Sequence, residues 1–295
     1  MRSYDFETYD VFTDKRFTGN QLAVVMDAQG LSTEDMQTIT REFNLAETTF
    51  VLPPENSDHT ARVRIFTIGY EMPFAGHPTV GTSIALAKAR SLTESVTLEL
   101  NTGIFPVRLD VSGEVGFAEF QNPNLPEEAG GAPSTSMLEK ALSLPAGVID
   151  SGDHRPRKIG AGANYVFAHA GLDDVRKAKV NSTAFEAMAL EETVGVLLYA
   201  KGGEAADADY HVRMFAPGAG IVEDAATGSA AAALPGQIAR SEKLADGAAE
   251  WRIEQGFEMG RPSLIQARIT AKDRHITSVR IGGRALLVQR GKLFI

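Results

Sequence analysis

Cysteine is absent from all 295 positions of the sequence. Disulfides, thiolate nucleophiles, Cys-ligated zinc and iron–sulfur clusters are therefore excluded, and the lack of thiols fits a reducing compartment. No apolar run approaches the ~18 residues needed to cross a bilayer. The stretch from Met1 to Lys15 is polar and acidic, with no apolar signal core. A cytoplasmic protein with no membrane partner is expected. Clusters of basic residues are also missing. The formal net charge is −9, so nucleic acid is not an expected partner, and the short Arg155–Lys158 stretch reads as a solvated loop. The glycine-rich dinucleotide fingerprint, the phosphate-binding loop, H-E-x-x-H and G-x-S-x-G do not occur. The six histidines show no close ligand pairing. No cofactor and no metal are expected.

What is present is a globular composition, 43% hydrophobic and 23% charged, with 28 glycines. The length is comfortable for two domains. Period-2 alternation and β-rich runs predict strands over Tyr4–Thr13, Leu22–Met26, Thr48–Leu52, Arg62–Thr67, Val96–Leu100, Phe105–Val111 and Val115–Phe120. Further strands are predicted over Arg157–Gly160, Asn164–Ala168, Gly195–Ala200 and Tyr210–Phe215, and again from Trp251 to Phe294. Ser32, with Asp35 three residues on, predicts a capped helix to about Phe43. Loops at Gly69–Pro78 and Ala216–Thr227 lead into helices over Thr79–Ala89 and Gly228–Arg240. A shorter helix is expected over Ser136–Leu144. The Pro- and Gly-rich run Asn122–Pro133 is the best boundary. It divides the chain into 1–122 and 123–295, with the final strand free to return to the first domain.

The halves echo each other. Val63-Arg-Ile-Phe66 recurs as Val212-Arg-Met-Phe215, each strand running into a Gly/Pro loop and an apolar helix. This is either duplication of one domain or a chance agreement of two strand–loop–helix units. Helices with so little polar face must be buried. A curved, mostly antiparallel sheet wrapped around one central helix in each half satisfies that. The fold class expected is α+β, with two pseudo-symmetric domains.

Three segments carry groups suited to chemistry. Glu47 lies where a helix gives way to an apolar strand. Shielded there, its carboxyl would both take and give a proton near neutral pH; the alternative is an exposed helix-end glutamate. In the second segment, Gly76 permits close backbone approach, His77 precedes a helix as substrate donor or loop cap, and Thr79 follows it. The helix start offers amides to a carboxylate. In the third, Asp224 and Thr227 are placed to cap the second helix, and Gly228 and Ser229 supply amides at its start. Two helix N-termini would then favour an anion and an enolate-like charge. A fourth run, Gln255-Gly-Phe-Glu-Met-Gly-Arg261-Pro-Ser263, reads as a tight loop in which Arg261 serves mainly as a brace.

Taken in order, Tyr9-Asp-Val-Phe12, Phe17-Thr-Gly-Asn20, Asn44-Leu-Ala-Glu47-Thr48, Arg64-Ile-Phe66, Pro73-Phe-Ala-Gly-His-Pro-Thr79-Val-Gly81, Glu223-Asp224 with Ala226-Thr-Gly-Ser229, and Gln255-Gly256 with Gly260-Arg-Pro-Ser263 resemble the phenazine-biosynthesis PhzF-like family. The resemblance implies a diaminopimelate-epimerase-like fold, each half a curved sheet or barrel around a central helix, with the site between the halves. It implies a cofactor-free isomerase, commonly a homodimer, acting on a small carboxylate substrate. Glu47 matches the family's proton-transferring glutamate. His77, Asp224 and Ser229 match its other active-site positions. Related epimerases use two cysteines, a route closed to this chain. Where the family usually has proline, this chain has Gln21, Ile68 and Ala225. The expected activity is a proton shift on carbon by Glu47, with Gly76, Thr79, Thr227, Gly228 and Ser229 around the substrate. The alternatives are a hydro-lyase or epimerase on a small hydroxy or amino acid, and a non-catalytic binding protein of the same fold.

Overall fold

The computed structural model describes residues 2–273 and 275–295. The chain forms two compact units. The first runs to Gln121 and takes back Gly282–Ile295; the second is Asn122–Ile281.

The first unit contains β1 (Ser3–Val11), β2 (Asn20–Val25), α1 (Thr33–Phe43), β3 (Glu47–Leu52), β4 (Ala61–Phe66), β5 (Glu71–Met72), α2 (Gly76–Arg90), β6 (Ser95–Leu100), β7 (Gly103–Asp110) and β8 (Gly116–Gln121). The second contains β9 (Glu127–Glu128), α3 (Thr135–Ala141), β10 (Arg157–Gly160), β11 (Asn164–His169), α4 (Leu172–Lys177), α5 (Ser182–Glu186), β12 (Gly195–Lys201), β13 (Tyr210–Ala216), β14 (Ile221–Asp224), α6 (Gly228–Ser241), β15 (Gly247–Gln255) and β16 (Ser263–Lys272). Strand β17 (His275–Phe294) begins in the second unit and ends in the first.

In the first unit the strands close a circuit, β17–β1–β2–β3–β4–β6–β7–β8 and back to β17. Closure removes every edge of this eight-stranded barrel. Helix α2 packs against six of its strands, and every residue from Gly76 to Ala87 is buried. The sequence demands this, because the helix is apolar on all sides. Gly81 marks the closest approach: a Cβ there would lie 2.5 Å from Leu22 Cδ2 and 2.7 Å from Val11 Cγ2. Helix α2 begins three residues before the predicted Thr79. A first turn needs no N–H from Pro78, so the Gly76-His77-Pro78 segment winds into the helix. His77 is therefore a helix residue, not a loop residue. Helix α1 starts at the predicted Ser32, with Asp35 N donating to Ser32 Oγ at 3.0 Å and Ser32 N to Asp35 Oδ2 at 2.9 Å.

The second unit repeats the strand sequence. β10–β11 is antiparallel, β11–β12 parallel, β12–β13 antiparallel, β13–β15 parallel and β15–β16 antiparallel. The corresponding first-unit pairs run in the same senses. Helix α6 takes the place of α2, with Ala230–Ile238 buried. The polar scaffold repeats as well. Arg64 grips Glu71 with Nε and a terminal nitrogen (2.8 and 2.5 Å), and Arg213 grips Glu223 in the same way (2.8 and 2.8 Å). Each guanidinium stacks on the phenylalanine two residues on, Phe66 or Phe215. Glu99 accepts from the amides of Glu55 and Asn56 and sits 2.7 Å from His59 Nδ1. Glu254 accepts from the amides of Glu204 and Ala205 and sits 3.2 Å from His211 Nδ1. The two halves are thus one design used twice.

Helices α4 and α5 escape a periodicity reading because six and five residues span too little of the helical repeat. Val175 and Phe185 tie them to an apolar cluster with Leu138 and Val196. The expectation of a solvated Arg155–Lys158 loop fails at Arg157, which is buried and donates to Gln237 Oε1 and Ser241 Oγ. Among the described residues no helix is long and apolar enough to cross a membrane.

Candidate active site

Glu47 opens β3, opposite Leu22 of the parallel neighbour β2, and is 8% exposed. His77 is the second residue of α2 and is buried. The predicted residues meet: His77 Nε2 lies 3.1 Å from Glu47 Oε2. On the far side of the ring, Nδ1 is 3.3 Å from Asn20 Nδ2 at the start of β2. Burial pushes the His77 imidazole down to about 3, against a weaker upward pull from the Gln21 backbone. The contact is therefore not an ion pair. A neutral imidazole has one donor and one acceptor nitrogen. With Nδ1 accepting from the Asn20 amide, the ring proton sits on Nε2 and faces Glu47 Oε2. Such a partner tolerates both protonation states of Glu47, whereas a fixed cation would hold it ionised.

No side chain caps α2, and its first turn carries no acidic residue. The amides of Gly76 and His77, ahead of the first helical bond from Thr79 N to Ala75 O, have no partner within the helix and present the positive end of the helix dipole. Thr79 is buried and gives its hydroxyl proton to Ala75 O at 2.7 Å. Its side chain braces the helix start.

In the second unit, Asp224 ends β14 and Thr227 stands at the N-cap of α6. The expected helix cap does not form. Thr227 Oγ1 instead donates to Asp224 Oδ2 at 2.6 Å, and the cap makes no side-chain hydrogen bond to the helix. Gln255, fully buried at the end of β15, holds this turn in place. Its Nε2 donates to Asp224 O at 2.8 Å and Thr227 Oγ1 at 3.0 Å, while its Oε1 accepts from Thr227 N at 3.0 Å. Gly228 is buried, and Ser229 is half-buried with Oγ 2.7 Å from the phenol of Tyr165. Arg261 N donates to Gly256 O, closing the loop that follows Gln255.

The duplication separates scaffold from site. Register fixes the equivalences: Phe66 faces Thr48 as Phe215 faces Val196, and Arg62 faces Glu99 as His211 faces Glu254. The Arg–Glu grip and the buried loop-holding glutamate occur in both copies, so they serve the fold. Among the polar residues that differ between copies are Glu47 and His77, where the second unit has Gly195 and Ser229, and Asp224 and Gln255, where the first has Met72 and Leu100. A fold that works with either residue does not explain the polar one. Sequence reasoning missed the parts played by Asn20 and Gln255. Asn20 stood only within the family-matching run Phe17-Thr-Gly-Asn20, and Gln255 lay in a run read as a tight loop braced by Arg261. Register against the other half is the signal that finds Gln255. Among the described residues no group of His, Asp and Glu is arranged to hold a metal ion.

The phenazine biosynthesis-like protein model matches residues 9–291. An uncharacterised isomerase of Mesorhizobium japonicum is 43% identical, with all of both chains covered. The trans-2,3-dihydro-3-hydroxyanthranilate isomerase of Pseudomonas aeruginosa is 34% identical over 97% of this chain and 98% of its own. Among solved structures, a phenazine biosynthesis protein of the PhzF family from Bacillus anthracis superposes with a TM-score of 0.89 at 28% identity, covering both chains fully. The diaminopimelate-epimerase-like fold implied by the resemblance is the fold observed.

Proposed function

Since this chain belongs to the phenazine biosynthesis-like protein family and is an enzyme of the isomerase kind, we propose that it shifts a proton on carbon of a small carboxylate substrate without a cofactor, with Glu47 as the acid–base group. The observation that carries this reading is the buried pair of Glu47 and a neutral His77, 3.1 Å apart.

In this reaction the Glu47 carboxylate removes a proton from a carbon next to an unsaturated, electron-withdrawing group. The electron pair left behind delocalises. The same carboxylic acid returns the proton to another carbon of that system, so mass and redox state are unchanged. His77, its Nδ1 turned to the Asn20 amide, keeps its proton on Nε2 and presents it to the Glu47 carboxyl before and after the transfer. The amides at the start of α2 offer a seat for the developing negative charge. In the second unit, Gly228 and Ser229 are the residues offered to a substrate carboxylate. Asp224, kept in place by Thr227 and Gln255, binds an amine or hydroxyl of the substrate.

The test is incubation with trans-2,3-dihydro-3-hydroxyanthranilate, the compound in the Pseudomonas relative's name, and with other small unsaturated amino and hydroxy acids. A product of unchanged mass with a moved carbon-bound hydrogen supports the proposal. Loss of one water assigns a hydro-lyase instead, and binding without turnover of any of these acids removes the enzyme reading.

A further inference from the structure

In both units a strand residue delivers one polar atom to the second residue of the central helix. In the first, Glu47 Oε2 meets His77 Nε2 at 3.1 Å. In the second, the Tyr165 phenol oxygen meets Ser229 Oγ at 2.7 Å. The delivering strands differ. Glu47 comes from β3, and its counterpart on β12 is Gly195, where a Cβ would lie 2.2 Å from Phe215 O. No side chain can come from that position. Tyr165 comes from the neighbouring strand β11, directly opposite Gly195, and its counterpart in the first unit is Leu22. A leucine suffices there for packing, so the fold alone does not call for a hydroxyl at position 165. By the criterion that separates site from scaffold elsewhere in the molecule, Tyr165 belongs with the site.

We propose that Tyr165 is a positioning residue for Ser229, fixing the direction of its hydroxyl so that the Ser229 proton is presented to the substrate carboxylate. The inference rests on the reading above, in which Ser229 contacts substrate. A serine hydroxyl rotates freely about Cβ–Oγ and can act as donor or acceptor. A carboxylate ligand accepts only, so Ser229 must donate to it. With the Tyr165 proton on Ser229 Oγ, one serine lone pair is filled and the serine's own proton is directed elsewhere. Tyr165 is 2% exposed on an internal strand, with its ring edge-on to Phe167 at 6.4 Å. Its hydroxyl is thus held by packing and loses little further freedom when it orients Ser229.

Three variants test this on trans-2,3-dihydro-3-hydroxyanthranilate: Ser229→Ala, Tyr165→Phe and the double substitution. A positioning role made before the chemical step acts on binding. Tyr165→Phe should raise KM roughly five- to tenfold, with kcat changed less than about threefold, the size of one neutral hydrogen bond. Ser229→Ala should do the same, and the double variant should be no worse than Ser229→Ala alone, because the phenol then has nothing to orient. Tyr165→Phe keeps the ring, and an unchanged melting temperature shows that packing is intact. If Ser229→Ala raises KM and Tyr165→Phe does not, or if the two effects multiply, the inference is wrong and the reading of Ser229 stands. If Ser229→Ala leaves KM unchanged, or the wild type turns over none of the acids named above, it is that reading which falls.

Discussion

Glu47 and His77 show how a residue's surroundings make it reactive. The two lie 30 positions apart in the sequence; the fold brings the start of β3 and the start of α2 together. His77→Asn should lower kcat by about 10- to 100-fold on a turned-over substrate, since the shorter amide cannot place a donor where Nε2 stands beside Glu47. The same substitution should alter the response to acid. The His77 imidazole is held down to about 3 in the folded chain, against ~6.5 unfolded. Between those values the unfolded chain binds the proton and the folded chain does not. The stability tied to the neutral ring is complete above ~6.5 and is lost as pH falls toward 3. Urea unfolding at pH 7.5 and pH 5 should show the wild type losing more stability than His77→Asn; equal losses would contradict a buried neutral imidazole. Glu47, His77 and Asp224 were legible in the sequence because each sits in a dense local motif. Asn20 and Gln255 were not, because their contacts are made across 57 and 28 residues.

Among the elements, the two central helices depend on close approach. Gly81→Ala would bring a Cβ within 3 Å of Leu22 and Val11, and Gly236→Ala within 3 Å of Pro126 and Ile159. Each should cost about 1–3 kcal/mol by overpacking, read from chemical denaturation. The duplicated Arg–Glu grips should not be equal. Arg213 is 7% exposed at its side chain and also donates to the carbonyls of Val175, Arg176 and Ala178 near the end of α4, whereas Arg64 is 17% exposed and also reaches Thr33 Oγ1. Arg213→Ala should destabilise by about 3–5 kcal/mol, the range for breaking a buried pair, and Arg64→Ala by clearly less. Equal losses would show that the carbonyl contacts add nothing. Strand periodicity was readable where a strand has one buried face, as in β7, where Phe105, Val107 and Leu109 are buried and their neighbours exposed, whereas β12 and β13, buried on both faces, read as apolar runs. The start of α2 was misjudged by three residues because proline and glycine there signal a loop, and only burial of the first turn decides otherwise.

For the whole molecule, duplication is the main fact and the final strand its main consequence. Residues 282–295 belong to the first unit, where β17 pairs with β1 and β8 and completes the barrel. Ending the chain at Ile281 should therefore expose the first unit, with rapid amide exchange across β1 and β8, while β12 and β13 of the second unit remain protected. Protection of β1 in the shortened chain would contradict barrel closure by β17. The repeat itself was visible in the matched Val-Arg-Ile-Phe and Val-Arg-Met-Phe runs. The return of the last strand to the first unit was left open by the expected division and not fixed by it, because nothing in the strand's alternation says which unit will receive it. The account stands or falls on the proton carried by Glu47. The most direct test is the rate at which carbon-bound hydrogen moves in trans-2,3-dihydro-3-hydroxyanthranilate, followed by NMR for the wild type and for Glu47→Gln. The account predicts a loss of ~10²–10⁴ in rate with the fold and binding retained. An undiminished rate in Glu47→Gln would contradict it.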